Sequence, residues 1–307
     1  MISNAYWTQY WAQGYKTSFG DHYENSYDGI IKEKWMDVFT SLKDFSEVLD
    51  LCTGNASIIR LARDNLTNFD KISFTGIDYA DIQVKDDLSS LKNINLLFNV
   101  DVENLPTKLS RYDLVTSNFG IEYSDINRSI IEVKRVLKLG GKFNFICHHI
   151  DSLIISESKC ELNLLNKIFE KSQVLDSLES LILELKFKKD ENRENHSELW
   201  RNRLNEGLAI LANQFPSNFY GCDFLSFLKF VLNPKIKNKQ EEFLLFKKEL
   251  LGYKVRLEKM IHAALTKHST SEFFKLSSKL GFDDIRIEEL TDKNGIIAFR
   301  LSGQLKA

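Results

Sequence analysis

The sequence predicts an α/β protein: a mostly parallel sheet with helices on both faces, carrying an all-helical block between its fifth and sixth strands. Three observations predict it. Short β-type runs alternate with helical patterns between residues 44 and 150, at the spacing of parallel strands joined by crossover helices. Residues 268–307 return to the same alternation. Between them, residues 151–267 place apolar side chains at three- and four-residue steps and show no strand pattern.

The elements follow in order. Residues 1–43 are read as an aromatic-rich helical segment, in which Tyr6, Trp7, Tyr10, Trp11, Tyr15, Phe19 and Tyr23 crowd one face. Residues 47–53 form a buried strand, and Ile58, Ile59, Leu61 and Ala62 recur at helical spacing behind it. Further strands are expected at 71–79, 94–101, 112–119 and 141–149, the last preceded by an amphipathic helix over 129–141 that Gly140 and Gly141 close. Within the block, Leu162, Leu165, Phe169, Leu175, Leu178, Ile182 and Leu185 predict one long helix with an apolar stripe. The charged run 186–198 is expected to be a turn or loop, with helices near 198–213, 222–232 and 239–265 beyond it. A helix over 271–282 and strands at 284–290 and 295–305 complete the sheet.

Composition narrows the function classes. Hydrophobic residues make up 43% of the 307 and charged residues 27%, which are globular values. Lys plus Arg total 41 against 43 Asp plus Glu, so no global positive field draws in a polyanion, and nucleic acid is not the expected partner. Cys52, Cys147, Cys160 and Cys222 form no CxxC pair and no Cys/His cluster, so reduced thiols are expected and neither a metal site nor a disulfide framework is. No run approaches the roughly 20 apolar residues of a membrane span. The N-terminus lacks an uninterrupted apolar stretch, so a cytoplasmic location without membrane attachment is expected.

The chemistry gathers at strand ends. Val48-Leu49-Asp50-Leu51-Cys52-Thr53-Gly54-Asn55-Ala56 is a hydrophobic strand running into a tight turn and a helix, a device that lets backbone approach a ligand. Asp78, followed by Tyr79, ends the second strand, where a carboxylate can accept both hydroxyls of a ribose. Asp101 and Val102 follow the third strand, where Asp101 can meet an adenine amino group. Ser117-Asn118-Phe119-Gly120-Ile121-Glu122-Tyr123 lies beyond the fourth. His148 and His149 end the fifth; because side chains alternate along a strand, at most one of them faces a ligand, and His149 is the first choice as a base.

In this order and at these spacings, the four motifs resemble the class I S-adenosylmethionine-dependent methyltransferases, over residues 44–150 and 268–307. The resemblance implies a Rossmann-like sheet with a reversed final hairpin, S-adenosylmethionine as cofactor and S-adenosylhomocysteine as product. It also implies roles: Asp50 and the turn Cys52, Thr53, Gly54 and Asn55 at the methionine end, Asp78 and Tyr79 at the ribose, Asp101 and Val102 at the adenine, and Asn118 and Phe119 beside them. Cys52 and Ala56 stand where that family has glycine, and Leu139 where it commonly has proline. The N-terminal aromatics resemble the cover that closes over donor and acceptor in many small-molecule members.

The expected function is methyl transfer to an oxygen or nitrogen of a small molecule, with His149, His148, Glu122 and Tyr123 at the acceptor and residues 151–267 as substrate cap or homodimer interface. The turn after the fourth strand lacks the Asn/Asp-Pro-Pro-aromatic sequence of base-amine methyltransferases, which disfavours that substrate class. Two alternatives remain open at this point: another use of the same cofactor, such as aminopropyl transfer, and a non-catalytic scaffold with a degenerate site.

Overall fold

The computed structural model of the chain describes all residues except 1, 20–26, 85–86, 110, 172–173, 187–190 and 222, and leaves out the side chains of 2–4, 87, 191–194 and 220–221 as well. Tyr23 and Cys222 therefore lie outside the described residues. The chain divides into two compact units, Met1–Ile155 with Lys259–Ala307, and Ser156–Glu258.

The first unit holds a seven-stranded sheet. Its strands are β1 (Glu47–Leu51), β2 (Ser73–Ile77), β3 (Ile94–Leu97), β4 (Tyr112–Asn118), β5 (Leu137–His148), β6 (Phe282–Asp292) and β7 (Gly295–Leu305), in the spatial order β3-β2-β1-β4-β5-β7-β6. The first five are parallel, while β7 runs antiparallel to both β5 and β6. This is a Rossmann-like sheet with a reversed final hairpin. Strand order reverses between β1 and β4, and in an open α/β sheet ligands bind outside the carboxyl ends at that point.

Alternation along β1 shows how the faces are divided. Leu49 and Leu51 pack with Val133 of α4 (Ile126–Val136) and Phe273 of α11 (Lys267–Lys279), whereas Val48 packs with Trp35 of α2 (Gly29–Phe39) and Ile59 of α3 (Ser57–Asn65). Thus α2 is a core helix. Ahead of it, α1 (Ile2–Ala12) carries the expected aromatic pair Trp7 and Trp11, stacked at 6.1 Å.

One boundary in this unit differs from the sequence expectation. The helix expected over 129–141 ends at Val136, and Leu137-Lys138-Leu139-Gly140-Gly141 already belongs to β5. Leu137 pairs with Tyr112 of β4 across a register shift, and Gly140 takes φ +78°, so the glycines make an irregular strand entry rather than a helix end.

The second unit is helical: α5 (Leu153–Ile168) enters it, followed by α6 (Val174–Glu184), α7 (Glu191–Gln214), α8 (Pro216–Gly221) and α9 (Asp223–Val231), and α10 (Lys239–Ala263) leaves it. The single long helix expected through 162–185 is two, broken after Ile168 where Glu170 N–H turns back to Lys167 O at 3.2 Å. Both halves feed one core, Leu164, Leu165 and Ile168 from the first and Val174, Leu178 and Ile182 from the second, so the stripe continues although the axis does not. The charged run expected to be a loop is helical from Glu191 onward. Buried Leu204 and Leu211 anchor that helix, and each polar residue added to its start gains a backbone hydrogen bond at little cost.

Candidate functional site

At the carboxyl ends of β1, β2 and β4 lies a cavity of about 560 Å3, walled entirely by residues of the first unit. Its walls include Cys52, Asp78, Tyr79, Asp101, Val102, Phe119, Glu122 and Tyr123, with Trp7 and Trp11 from α1 and Lys259 and His262 from the end of α10. That volume falls in the roughly 300–1,000 Å3 range of small-molecule sites.

The turn after β1 is built on left-handed backbone. Cys52, Gly54 and Ala56 have φ of 54°, 54° and 60°. Glycine adopts this conformation freely and other residues at a cost of roughly 1–2 kcal/mol. The bend is therefore made here with a cysteine and an alanine on either side of one glycine. Gly54 itself has no room for a side chain: a Cβ there would lie 2.5 Å from Cζ2 of Trp11, whose indole covers the turn. Asn55 fastens that cover, its Nδ2 donating to the carbonyls of Trp11 (3.2 Å) and Tyr15 (2.7 Å). Gly120 allows a second close approach, since a Cβ there would lie 2.4 Å from Cβ of Cys52.

Three buried carboxylates do different work. Asp50 lies beneath the turn, its two oxygens accepting the Thr53 hydroxyl at 2.6 Å and the Thr116 hydroxyl at 2.8 Å. Burial pushes its carboxyl up to about 7, and it does not line the cavity. Asp78 ties two loops together, accepting Gly54 N–H through Oδ2 and Ala80 N–H through Oδ1, both at 2.8 Å. Burial raises it to about 6. Glu122 accepts His148 N–H through Oε1 at 2.9 Å, and burial raises it to about 7. Asp101, by contrast, is exposed and accepts Glu103 N–H at 2.9 Å.

The histidines divide as strand alternation requires. His148 shares its face with Ile146 and meets the cavity residues Phe119, at 4.6 Å between ring centroids, and Tyr123, whose hydroxyl is 3.3 Å from Nε2. Burial pushes His148 down to about 3, so it is neutral at physiological pH. His149 points to the opposite face, with its ring against Phe299 at 4.0 Å and Nε2 3.5 Å from Glu289. The residue placed first as a base is thus turned away from the cavity, and the second choice borders it.

Other expected residues also stand back from the cavity. Asn118 is occupied inside the fold, its Oδ1 accepting the Trp35 indole N–H at 2.8 Å. Tyr10 is buried and donates to Thr17 O at 2.7 Å, with Tyr15 stacked on it at 4.8 Å. Tyr6 is half-buried, and Phe19 packs edge-on against Phe119 at 4.9 Å. Sequence reasoning missed Lys259 and His262, which no motif marks. They reach the cavity because the chain returns to this sheet edge, where Leu265 bridges to His149. Among the described residues no group of His, Cys, Asp and Glu could hold a metal ion, and no helix is long and apolar enough to cross a membrane.

Residues 49–145 match the family model of a methyltransferase domain. That stretch runs from β1 into β5 and carries the turn at Gly54, Asp78, Asp101 and Glu122. No protein of curated function matches this chain. Among solved structures it is similar to a methyltransferase in complex with the Trm112 activator from Haloferax volcanii, at 21% identity, 47% of this chain, 60% of that chain and a TM-score of 0.38. It is also similar to the CurJ carbon methyltransferase, at 10% identity, 91% of this chain, 54% of that chain and 0.45. A methyltransferase from Aquifex aeolicus matches at 14% identity, 89% of each chain and 0.41. The chain thus spans 60% and 54% of the lengths of the first two.

Proposed function

We propose that the chain transfers the methyl group of S-adenosylmethionine to an oxygen or nitrogen atom of a small-molecule acceptor, releasing S-adenosylhomocysteine. The observation that carries this reading is that the strand-end carboxylate Asp78 and the hydrogen-bonding residues Glu122 and Tyr123 wall one cavity.

The residues fit the donor. Each Asp78 oxygen takes one backbone N–H and keeps lone-pair capacity for a ribose hydroxyl. Asp101 and Val102 would hold the adenine and the left-handed turn at Gly54 the methionine end, while the rings of Trp7, Trp11, Phe119 and Tyr123 offer faces that attract a cation. When bound, the donor supplies a methyl group carried on positively charged sulfur. The chain's own part is to place the acceptor in line behind that methyl, exclude water and accept a proton. The α1 cover over Gly54 serves the exclusion. Tyr123, held by neutral His148, orients the acceptor, and Glu122, in the same cavity wall, is the group assigned to take a proton. Retention of the turn geometry at Cys52 and Ala56 favours a working cofactor site over a degenerate scaffold.

Residues 151–267 we assign as the acceptor-side cap, on connectivity: the segment leaves from the end of β5 and rejoins the sheet edge at Leu265. Slowed hydrogen exchange in Ser156–Glu258 on binding donor analogue and acceptor is the result expected of a cap. Exchange that ignores both ligands and falls with protein concentration would make the block a homodimer interface instead.

The function is tested by incubating the protein with methyl-labelled S-adenosylmethionine and a small-molecule extract. Labelled product with loss of donor is the expected result. Donor binding without any labelled product, or a transferred group other than methyl, would refute the proposal.

A further inference from the structure

Two basic side chains line the cavity without a partner. Lys259 and His262, one turn apart at the end of α10, are the only basic residues of the wall among the described residues, and both belong to the first unit. Neither makes a hydrogen bond or an ion pair among the described residues, whereas Lys254 and Lys267 on either side of them are paired with Glu258 at 2.7 Å and Glu289 at 3.1 Å. A cation in a last turn suits the helix dipole wherever around the axis it lies. These two share the face that meets the cavity, with Ala263 beside them. Met260, between them in sequence, packs with Ile155 and Ala264 in a small cluster that also takes in Tyr123, which seats this turn of α10 beside Tyr123.

The acids of the wall do not neutralise this end. Asp78 and Asp101 follow β2 and β3, which lie beyond β1 from the strand that carries Tyr123. Glu122 is buried with Oε1 on His148 N–H, and Glu103 already accepts the Arg128 guanidinium at 2.8 Å. A donor whose adenosine lies at Asp78 and Asp101 leaves the Tyr123 end to the acceptor, and that end is basic. Lys259 offers an ammonium, and His262 a ring N–H in either protonation state. A neutral acceptor would leave the ammonium charge unmatched, whereas an anion accepts from both groups and gains the charge-assisted contact. Resting on the methyl-transfer reading, we infer that the acceptor carries an anionic group, a carboxylate or a phosphate, which Lys259 and His262 hold beside Tyr123.

Anions and neutral counterparts of like shape test this: phenylacetate with phenylacetamide, indole-3-acetate with indole-3-acetamide, and phenyl phosphate with phenol, titrated by calorimetry at low ionic strength into the full chain saturated with S-adenosylhomocysteine. Lys259 is half-buried and His262 exposed, so water screens the contact, and at least one anion should bind roughly fivefold or more tightly than its counterpart. Added salt should erode that preference. Lys259→Gln combined with His262→Gln should cut it to about twofold or less, and Lys259→Arg, which keeps the charge, should retain it. If S-adenosylhomocysteine binds but no anion outbinds its counterpart, or if the double variant keeps the full preference, the inference is overturned. It is overturned as well if the double variant weakens S-adenosylhomocysteine but not 5′-methylthioadenosine, which lacks the amino-acid end, because the basic pair then holds the donor's own carboxylate. Should the double variant not fold, the parent preference and its reduction in Lys259→Gln alone decide. Failure of S-adenosylhomocysteine to bind the parent would instead overturn the methyl-transfer reading.

Discussion

Replacing Asp78 with Asn separates what this carboxylate does for the fold from what it does for a ligand. Its two oxygens accept Gly54 N–H and Ala80 N–H, both at 2.8 Å. Asn keeps one oxygen, so one buried N–H meets an amide NH2 and loses its partner, which costs roughly 1–3 kcal/mol. Burial has raised the Asp78 carboxyl from 3.8 to about 6, and at ~1.4 kcal/mol per pH unit its ionisation in the folded state costs about 3 kcal/mol, which Asn removes. The two effects oppose each other, so Asp78→Asn should unfold within about 2 kcal/mol of the parent. Donor binding has no such compensation. Loss of a charge-assisted acceptor should weaken it by roughly 1.5–3 kcal/mol, or about 10- to 150-fold. Urea unfolding measures the first quantity and equilibrium dialysis with S-adenosylhomocysteine the second. A folded variant that binds S-adenosylhomocysteine as tightly as the parent would refute the assignment of Asp78.

Three further outcomes are expected. Ala56→Gly relieves a left-handed φ of 60° worth roughly 1–2 kcal/mol, against about 0.5–1 for glycine's entropy and about 0.8 for the buried methyl, so its stability should stay near the parent's. Ala62→Gly, equally buried but inside α3, should lose about 1.5–2 kcal/mol; equal losses in denaturant titrations would contradict the turn argument. Trp11→Ala uncovers Gly54 and should weaken S-adenosylhomocysteine binding by roughly 1–2 kcal/mol while raising hydrogen exchange in residues 5–15; unchanged exchange and affinity would show that α1 is packing alone. Burial holds Asp50, Asp78 and Glu122 at about 7, 6 and 7, above their values in an unfolded chain. The folded state therefore binds more protons than the unfolded one between about pH 4 and 7, and the stability this confers is lost as pH rises through 7. The denaturation midpoint of the ligand-free protein should be higher near pH 5.5 than near pH 8, and a rise across that window would count against these shifts.

Strands β1, β2, β4, β6 and β7 were legible because each is a short apolar or alternating run between turn residues. The entry to β5 was not, because Leu137-Lys138-Leu139 continues the spacing of α4 and only pairing with Tyr112 makes it a strand. The break between α5 and α6 was hidden for a related reason, since two helices that share a core keep the periodicity of one. In the site, Asp78, Asp101 and the turn after β1 announce themselves by position at strand ends. Alternation limited the histidines to one, but only the sheet's pairing, with His148 opposite Ala298 of β7, decides which one faces the cavity. Lys259 and His262 carry no local signal because they arrive from a helix more than 100 residues beyond the strands they join.

The central claim is that the cavity beside Asp78 and the turn at Gly54 binds the methyl donor. Calorimetric titration of the parent protein with S-adenosylmethionine tests it most directly. One equivalent bound per chain, with S-adenosylhomocysteine competing for the same site and Asp78→Asn weakening both, is the predicted result. No binding by a folded parent, or binding at a site that Asp78→Asn and Trp11→Ala leave untouched, would contradict the account.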